Sequence, residues 1–158
     1  MVSLLSKHYE STIHFGSNLS LRSTLCLNPL GTNHPVILCT WQAGAILDIG
    51  DNFGMTGGTL VAAEKITIGK NVTIGANCTI IDNDFHPLDP KIRRRSPQGA
   101  QTVPISIVDD VFIGMNCIIL KGVRIGQAAV VGAGRLVTRD ITSRVIVSGN
   151  PTRVVREL

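Results

Sequence analysis

Aromatic residues are scarce in this 158-residue chain, which has one Trp, one Tyr and four Phe. So few rings exclude a core built on large aromatic side chains, and they leave little on which nucleic-acid bases could stack. No run of about 18 apolar residues is present, so no integral membrane segment is expected. Residues 1–10 carry Lys7, His8 and Glu10 where a signal peptide needs an apolar stretch, and the chain reads as cytoplasmic. The cysteines at 26, 39, 78 and 117 form no closely spaced pair. That spacing favours buried, reduced thiols over disulfides or metal ligands. The net charge of +4 permits an acidic ligand without identifying it.

What the chain does have is a period of six. Ile107, Ile113, Ile119, Ile125, Val131 and Val137 follow one another at that step without a miss. A companion register two residues earlier holds Ile105, Val111, Cys117, Val123 and Ala129. Neither the 3.6-residue helical period nor strand alternation alone produces this spacing. Gly114, Gly126 and Gly132 follow the main aliphatic positions, where the chain turns. Short β-branched strands joined by Gly, Asn and Asp corners every six residues describe a hexapeptide β-helix with three flat faces per coil. Its narrow interior suits a chain that is 44% hydrophobic yet poor in rings.

One domain is expected over residues 1–158. Residues 1–45 form irregular first coils, in which Ile13, Phe15, Leu19 and Leu21 show the repeat faintly and residues 28–35 read as a loop containing His34. From Leu47 the repeat is clear through Ile49, Met55 and Val61, slips by one residue, and resumes at Ile68, Ile74 and Ile80. Gly57-Gly58 falls on the irregular coil, where a backbone or a ligand could approach closely. Residues 82–104 break the pattern with Asp82, Asp84, Asp89, several prolines and the run Arg93-Arg94-Arg95. A long excursion from a regular solenoid is usually functional. Residues 145–158 are expected to cap the end of the stack.

The repeat resembles the left-handed parallel β-helix of the hexapeptide acyltransferases, and the left hand is taken from that resemblance, because the usual crossover rule gives the opposite one. The excursion opens Asp84-Phe85-His86-Pro87-Leu88-Asp89-Pro90. Its His-Pro element, with the Gly149-Asn150-Pro151 tail, is similar to the sugar O-acetyltransferases of that class, the maltose, galactoside and polysaccharide-modifying types. The resemblance implies transfer of acetyl from acetyl-CoA to a saccharide hydroxyl in a homotrimer whose sites lie between subunits.

In such a site His86 would be the general base, because an imidazole is largely neutral near pH 7 and can hold a proton transiently. Asp84 is the first choice to orient it, with Asp82 and Asp89 as rivals. The family's cofactor contacts fall on Ala133, Thr138, Arg139, Arg153 and Arg156. Arg139 stands where Lys is commoner, Thr152 where Ala is usual, and Met115 where the galactoside enzymes carry a small polar residue. No metal is expected. The oxyanion donor and the acceptor are not legible, and the Arg93–Arg95 run reads as a solvated face or an anion-steering patch.

Three other readings compete. An N-acetyltransferase would keep the cofactor and act on an amino sugar or another small amine. A zinc hydratase on the same coil needs three converging histidines, whereas this chain has only His8, His14, His34 and His86. A non-catalytic scaffold would have no reason to carry a His-Pro loop.

Overall fold

The computed structural model describes residues 2–96 and 98–158. Among them the strands gather into three sheets of six, five and seven, and consecutive strands visit the sheets in turn. The first coil runs through Leu4–Lys7, Thr12–Phe15 and Ser20–Arg22, and the second through Ile37–Thr40, Ile46–Ile49 and Gly54–Thr56. We call these the first, second and third faces of the prism. Pairing is parallel throughout each face. The exception is the last strand, Arg153–Glu157, which folds back antiparallel on Val145–Ser148. It forms the outermost strand of the third face and is exposed along its length.

Why these residues form this prism follows from what stacks in register. On the first face Leu38, Leu60, Ile80, Ile119 and Val137 lie in one column. On the second, Ile49, Ile68, Ile107 and Ile125 do so, extended by a bridge to Ile141. On the third, Met55, Ile74, Ile113, Val131 and Val147 complete the triangle. All but Ile141 are 0–2% exposed, so each contributes about 1.5–3 kcal/mol of apolar burial.

The corners are built as regularly. Along the edge between second and third faces, Asn18, Asn52, Asn71 and Asp110 all have φ between 57° and 62°, a conformation that Asn and Asp tolerate. Their side chains form a ladder from Asn18 to Asn52, Asn52 to Asn71 and Asn71 to Asp110, each hydrogen bond 2.9 Å long.

Two expectations need correction. The one-residue slip does not place Val61 inside: Leu60 takes the inward position and Val61 faces outward on the first face. The cause is a pair of unequal corners. At Gly58 a side chain would collide with the Cys78 carbonyl, so that corner is tight, while Ala63 and Glu64 form a wider one. Gly57-Gly58 therefore admits the next coil's backbone. The first coil, expected to be irregular, has a strand on every face. Its pattern is faint because it sits at the open end of the stack, where Leu5 is 60% and Phe15 46% exposed.

Candidate functional site

The excursion leaves the prism on the edge between first and second faces, after Thr79–Ile81, and returns at Ile105–Ile107. Its base is a short antiparallel pairing: Asn83 bridges Thr102, Val103 N–H donates to the Asp82 carbonyl at 2.9 Å, and Asp84 N–H to that of Gln101 at 3.1 Å. Asp82 is fully buried and its carboxylate accepts the N–H groups of Ala63, Glu64 and Lys65 at 2.7–2.9 Å. Those bonds hold the wide corner of the preceding coil. Asp82 is thereby committed to structure.

Beyond the base the chain turns sharply. Asn83, 3% exposed, accepts the Phe85 N–H at 2.8 Å, and His86 N–H donates to the Asp84 carbonyl at 2.6 Å. Phe85 sits between them with φ of 57°, a left-handed conformation unusual for an aromatic residue. Such strain persists where the surroundings hold it, and here it fixes where Phe85 and His86 project. Pro87 is buried behind them. Asp89 caps a short helix, Pro90–Arg93, by accepting the N–H groups of Lys91 and Ile92, so it too is occupied. The pattern for that helix, an acidic cap followed by Pro, is carried by Asp89-Pro90. Arg93 folds back to donate to the Leu88 carbonyl at 3.1 Å, while Arg94 and Arg95 are exposed.

Asp84 adjoins His86 in the turn, but its carboxylate is engaged by Lys121, and no hydrogen bond joins it to the imidazole among the described residues. Lys121, on the next coil of the same edge, approaches Asp84 Oδ1 at 2.5 Å, with both side chains about a fifth to a quarter exposed. Asp84 Oδ2 is buried without a hydrogen-bond partner. The Lys121 corner is tied to the loop again through Gly122 N–H and the Val103 carbonyl, 2.9 Å. Lys121 was missed in the sequence because it lies 37 residues from Asp84 and meets it only through coil stacking.

His86 is exposed and borders a cavity of about 540 Å³. Trp41 and Gln42 line it from the second coil, Asn83, Phe85 and His86 from the start of the loop, and Gln98 and Ala100 from its return. Trp41 and Phe85 meet edge to face, centroids 6.1 Å apart at 74°.

The expected cofactor residues are distributed over the prism. Thr138 and Arg139 lie exposed on the His86 edge, two coils towards the C-terminus, roughly 10 Å at one strand spacing per coil. Ala133 lies on a different edge, between third and first faces, and Arg153 and Arg156 lie exposed on the end strand of the third face. A single chain therefore does not bring His86 and Ala133 together. Along the Ala133 edge, hydrogen bonds within the described residues leave the N–H groups of Met115 and Ala133 uncommitted, one coil apart. His34 belongs to that edge as well, its Nδ1 2.7 Å from the Pro35 carbonyl.

Cys39, Cys78 and Cys117 are buried and Cys26 is exposed, so the expectation of burial fails for Cys26 alone; all four are free thiols. Cys78 donates to the Gly114 carbonyl and Cys117 to that of Gly132, each at 3.1 Å. The Cys117 side chain and burial together push the Cys78 thiol up. No group of three or more His, Cys, Asp or Glu suited to a metal occurs among the described residues, and no helix is long and apolar enough to cross a membrane.

Residues 65–81 and 104–139 match the family described as the hexapeptide repeat of succinyl-transferase. A galactoside O-acetyltransferase of Lactococcus lactis is 41% identical over 107 residues, which are 68% of this chain and 49% of that protein. A 2,3,4,5-tetrahydropyridine-2,6-dicarboxylate N-acetyltransferase of Staphylococcus aureus is 37% identical over 91 residues, 58% of this chain and 33% of the relative. The chain thus spans about half the length, or less, of these curated relatives. A hexapeptide-repeat acetyltransferase of Vibrio cholerae superposes with a TM-score of 0.70 at 29% identity, covering 91% of this chain and 73% of the other. A galactoside acetyltransferase solved with coenzyme A gives 0.65 at 30% identity, covering 90% and 64%. These matches establish the left-handed parallel β-helix as the fold.

Proposed function

Because the chain belongs to the hexapeptide-repeat acyltransferases, we propose that it moves an acetyl group from acetyl-CoA to a hydroxyl of a saccharide, with His86 as general base. The observation that carries this reading is the strained turn Asp84-Phe85-His86, which sets the imidazole at the mouth of a cavity and is braced from the next coil by Lys121. Preorganisation of this kind serves proton transfer, which requires the base within hydrogen-bond reach of the acceptor.

In the proposed reaction the acceptor O–H gives its proton to His86 as its oxygen bonds to the thioester carbonyl carbon. The C–S bond then breaks, and His86 returns the proton to the departing CoA thiolate. No covalent enzyme intermediate is needed. Asp84, whose Oδ2 has no hydrogen-bond partner, would be the carboxylate that steadies the imidazolium once it forms.

The residues present suit coenzyme A. The uncommitted N–H groups of Met115 and Ala133 offer donors to the pantetheine arm and to the carbonyl oxygen that becomes negative, and Arg139, Arg153 and Arg156 offer cations for the phosphates. Since all of these groups except Arg139 lie on other parts of the prism than His86, the reading requires a second copy of the chain beside the first, as in a homotrimer. The outer side of the first face supports this. Ile37, Ile118 and Leu136 share one column there with Thr59 and Thr79 between them, and Ile118 is 43% exposed, whereas the second face presents Lys65, Thr67, Ser106 and Arg124. The aliphatic members of that column are the ones a second copy would cover.

The second reading, acetylation of an amine, rests on the N-acetyltransferase relative. Release of free CoA measured with matched hydroxy and amino sugars decides between them. The proposal expects turnover with hydroxy sugars, and turnover confined to amino sugars would replace it with the second reading.

A further inference from the structure

We infer that the cavity beside His86 is a binding site for an uncharged pyranose, with Trp41 as the surface on which the sugar ring lies. The inference deepens the proposed function and rests on it. Trp41 is the chain's one tryptophan, and it stands 56% exposed on a corner, outside the core. Its contact with Phe85, edge to face across two coils, fixes its plane while its open surface borders the cavity. The C–H face of a pyranose is apolar and matches such a surface.

The polar groups decide the charge of the ligand. Besides His86, the lining offers amides, Gln42, Asn83 and Gln98, and no Lys, Arg, Asp or Glu. Gln42 and Gln98 are exposed, and no hydrogen bond to another described residue uses either side-chain amide. Each presents a donor and an acceptor together, as adjacent sugar hydroxyls require. Lys121 pairs with Asp84 and Arg93 donates to loop carbonyls, while the exposed Arg94 and Arg95 of the loop do not line the cavity. A phosphate or carboxylate on the sugar would enter without a partner, and desolvating an unpaired charge is strongly unfavourable. The pocket therefore selects neutral hexopyranosides over sugar phosphates and uronic acids.

The single tryptophan makes the test direct. Methyl glucopyranoside, methyl galactopyranoside and their 6-phosphates are titrated into the protein while the intrinsic fluorescence of Trp41 is followed. The expected result is a saturable change with a neutral glycoside and at least ~10-fold weaker binding of its phosphate. Kinetically, Trp41→Ala should raise the KM for the sugar ~10-fold and leave that for acetyl-CoA unchanged, with Trp41→Phe recovering most of the loss. Tighter binding of the phosphates, or sugar turnover with no fluorescence change and no effect of Trp41→Ala, overturns the inference and leaves the acetyltransferase reading standing. A fluorescence response without any transfer overturns that reading and upholds the pocket.

Discussion

Lys121 Nζ and Asp84 Oδ1 stand 2.5 Å apart, joining the coil after the excursion to its first turn. The pair is mostly shielded from water, so removing one partner leaves the other charge poorly solvated. Lys121→Met should lower stability by about 1–3 kcal/mol. It should also slow turnover by about tenfold, because the turn that aims His86 loses its brace. Adding Asp84→Asn should recover much of the stability and none of the rate. Thermal unfolding alongside steady-state kinetics on the single and double variants measures both, and additive losses in stability would contradict the pairing.

Asp82 and His86 are only four residues apart, yet opposite outcomes are expected for them. Asp82→Ala deprives the N–H groups of Ala63, Glu64 and Lys65 of their acceptor in a buried corner. About 3 kcal/mol of stability should be lost, or roughly 6–12 °C in Tm for a chain of this size. A Tm within 2 °C of wild type, about the shift from only half a kcal/mol, would show that the corner does not depend on this carboxylate.

The thiols give a test of the stacked core. With an aromatic disulfide reagent in the native state, Cys26 should react within minutes, and Cys39, Cys78 and Cys117 only after denaturation. Burial and the raised affinity of Cys78 for its proton both withhold the reactive thiolate. Two or more fast-reacting thiols would mean that the coils open readily.

Asp51 accepts the Ser17 N–H and pairs with Lys70 at 3.2 Å, and these bonds hold its carboxyl below its ordinary value of 3.8. A carboxyl depressed in the folded state stabilises the fold above the unfolded value, and the benefit fades as pH falls through the folded one. Tm should therefore drop less steeply between pH 4 and pH 2 in Asp51→Asn than in wild type. Because Asp51 is exposed, the difference should be small and should shrink in high salt. Parallel curves for the two proteins would contradict the assignment.

The stretch from Ile107 to Val137 could be read directly because every sixth side chain points inward on three equivalent faces, so one register records the whole coil. The reading failed at Val61, where a tight corner at Gly58 and a wide one at Ala63 compensate each other and shift the inward position to Leu60. It was faint before Phe15, since residues at an open end have less need to be apolar. For the site, His86 and Asp84 stood out because they share a few residues of a broken pattern. Lys121 and Trp41 did not, because what joins them to the loop is the stacking of coils, and sequence separation conceals that.

The central claim is that His86 removes the proton from the acceptor. Its most direct measurement is the rate of CoA release from acetyl-CoA with a neutral glycoside, for wild type and His86→Ala at equal, saturating substrate. Exposed on its turn, His86 has little role in stability, so Tm should stay within about 2 °C while turnover falls by about 10²-fold or more. Turnover equal to wild type in the folded variant would contradict the account.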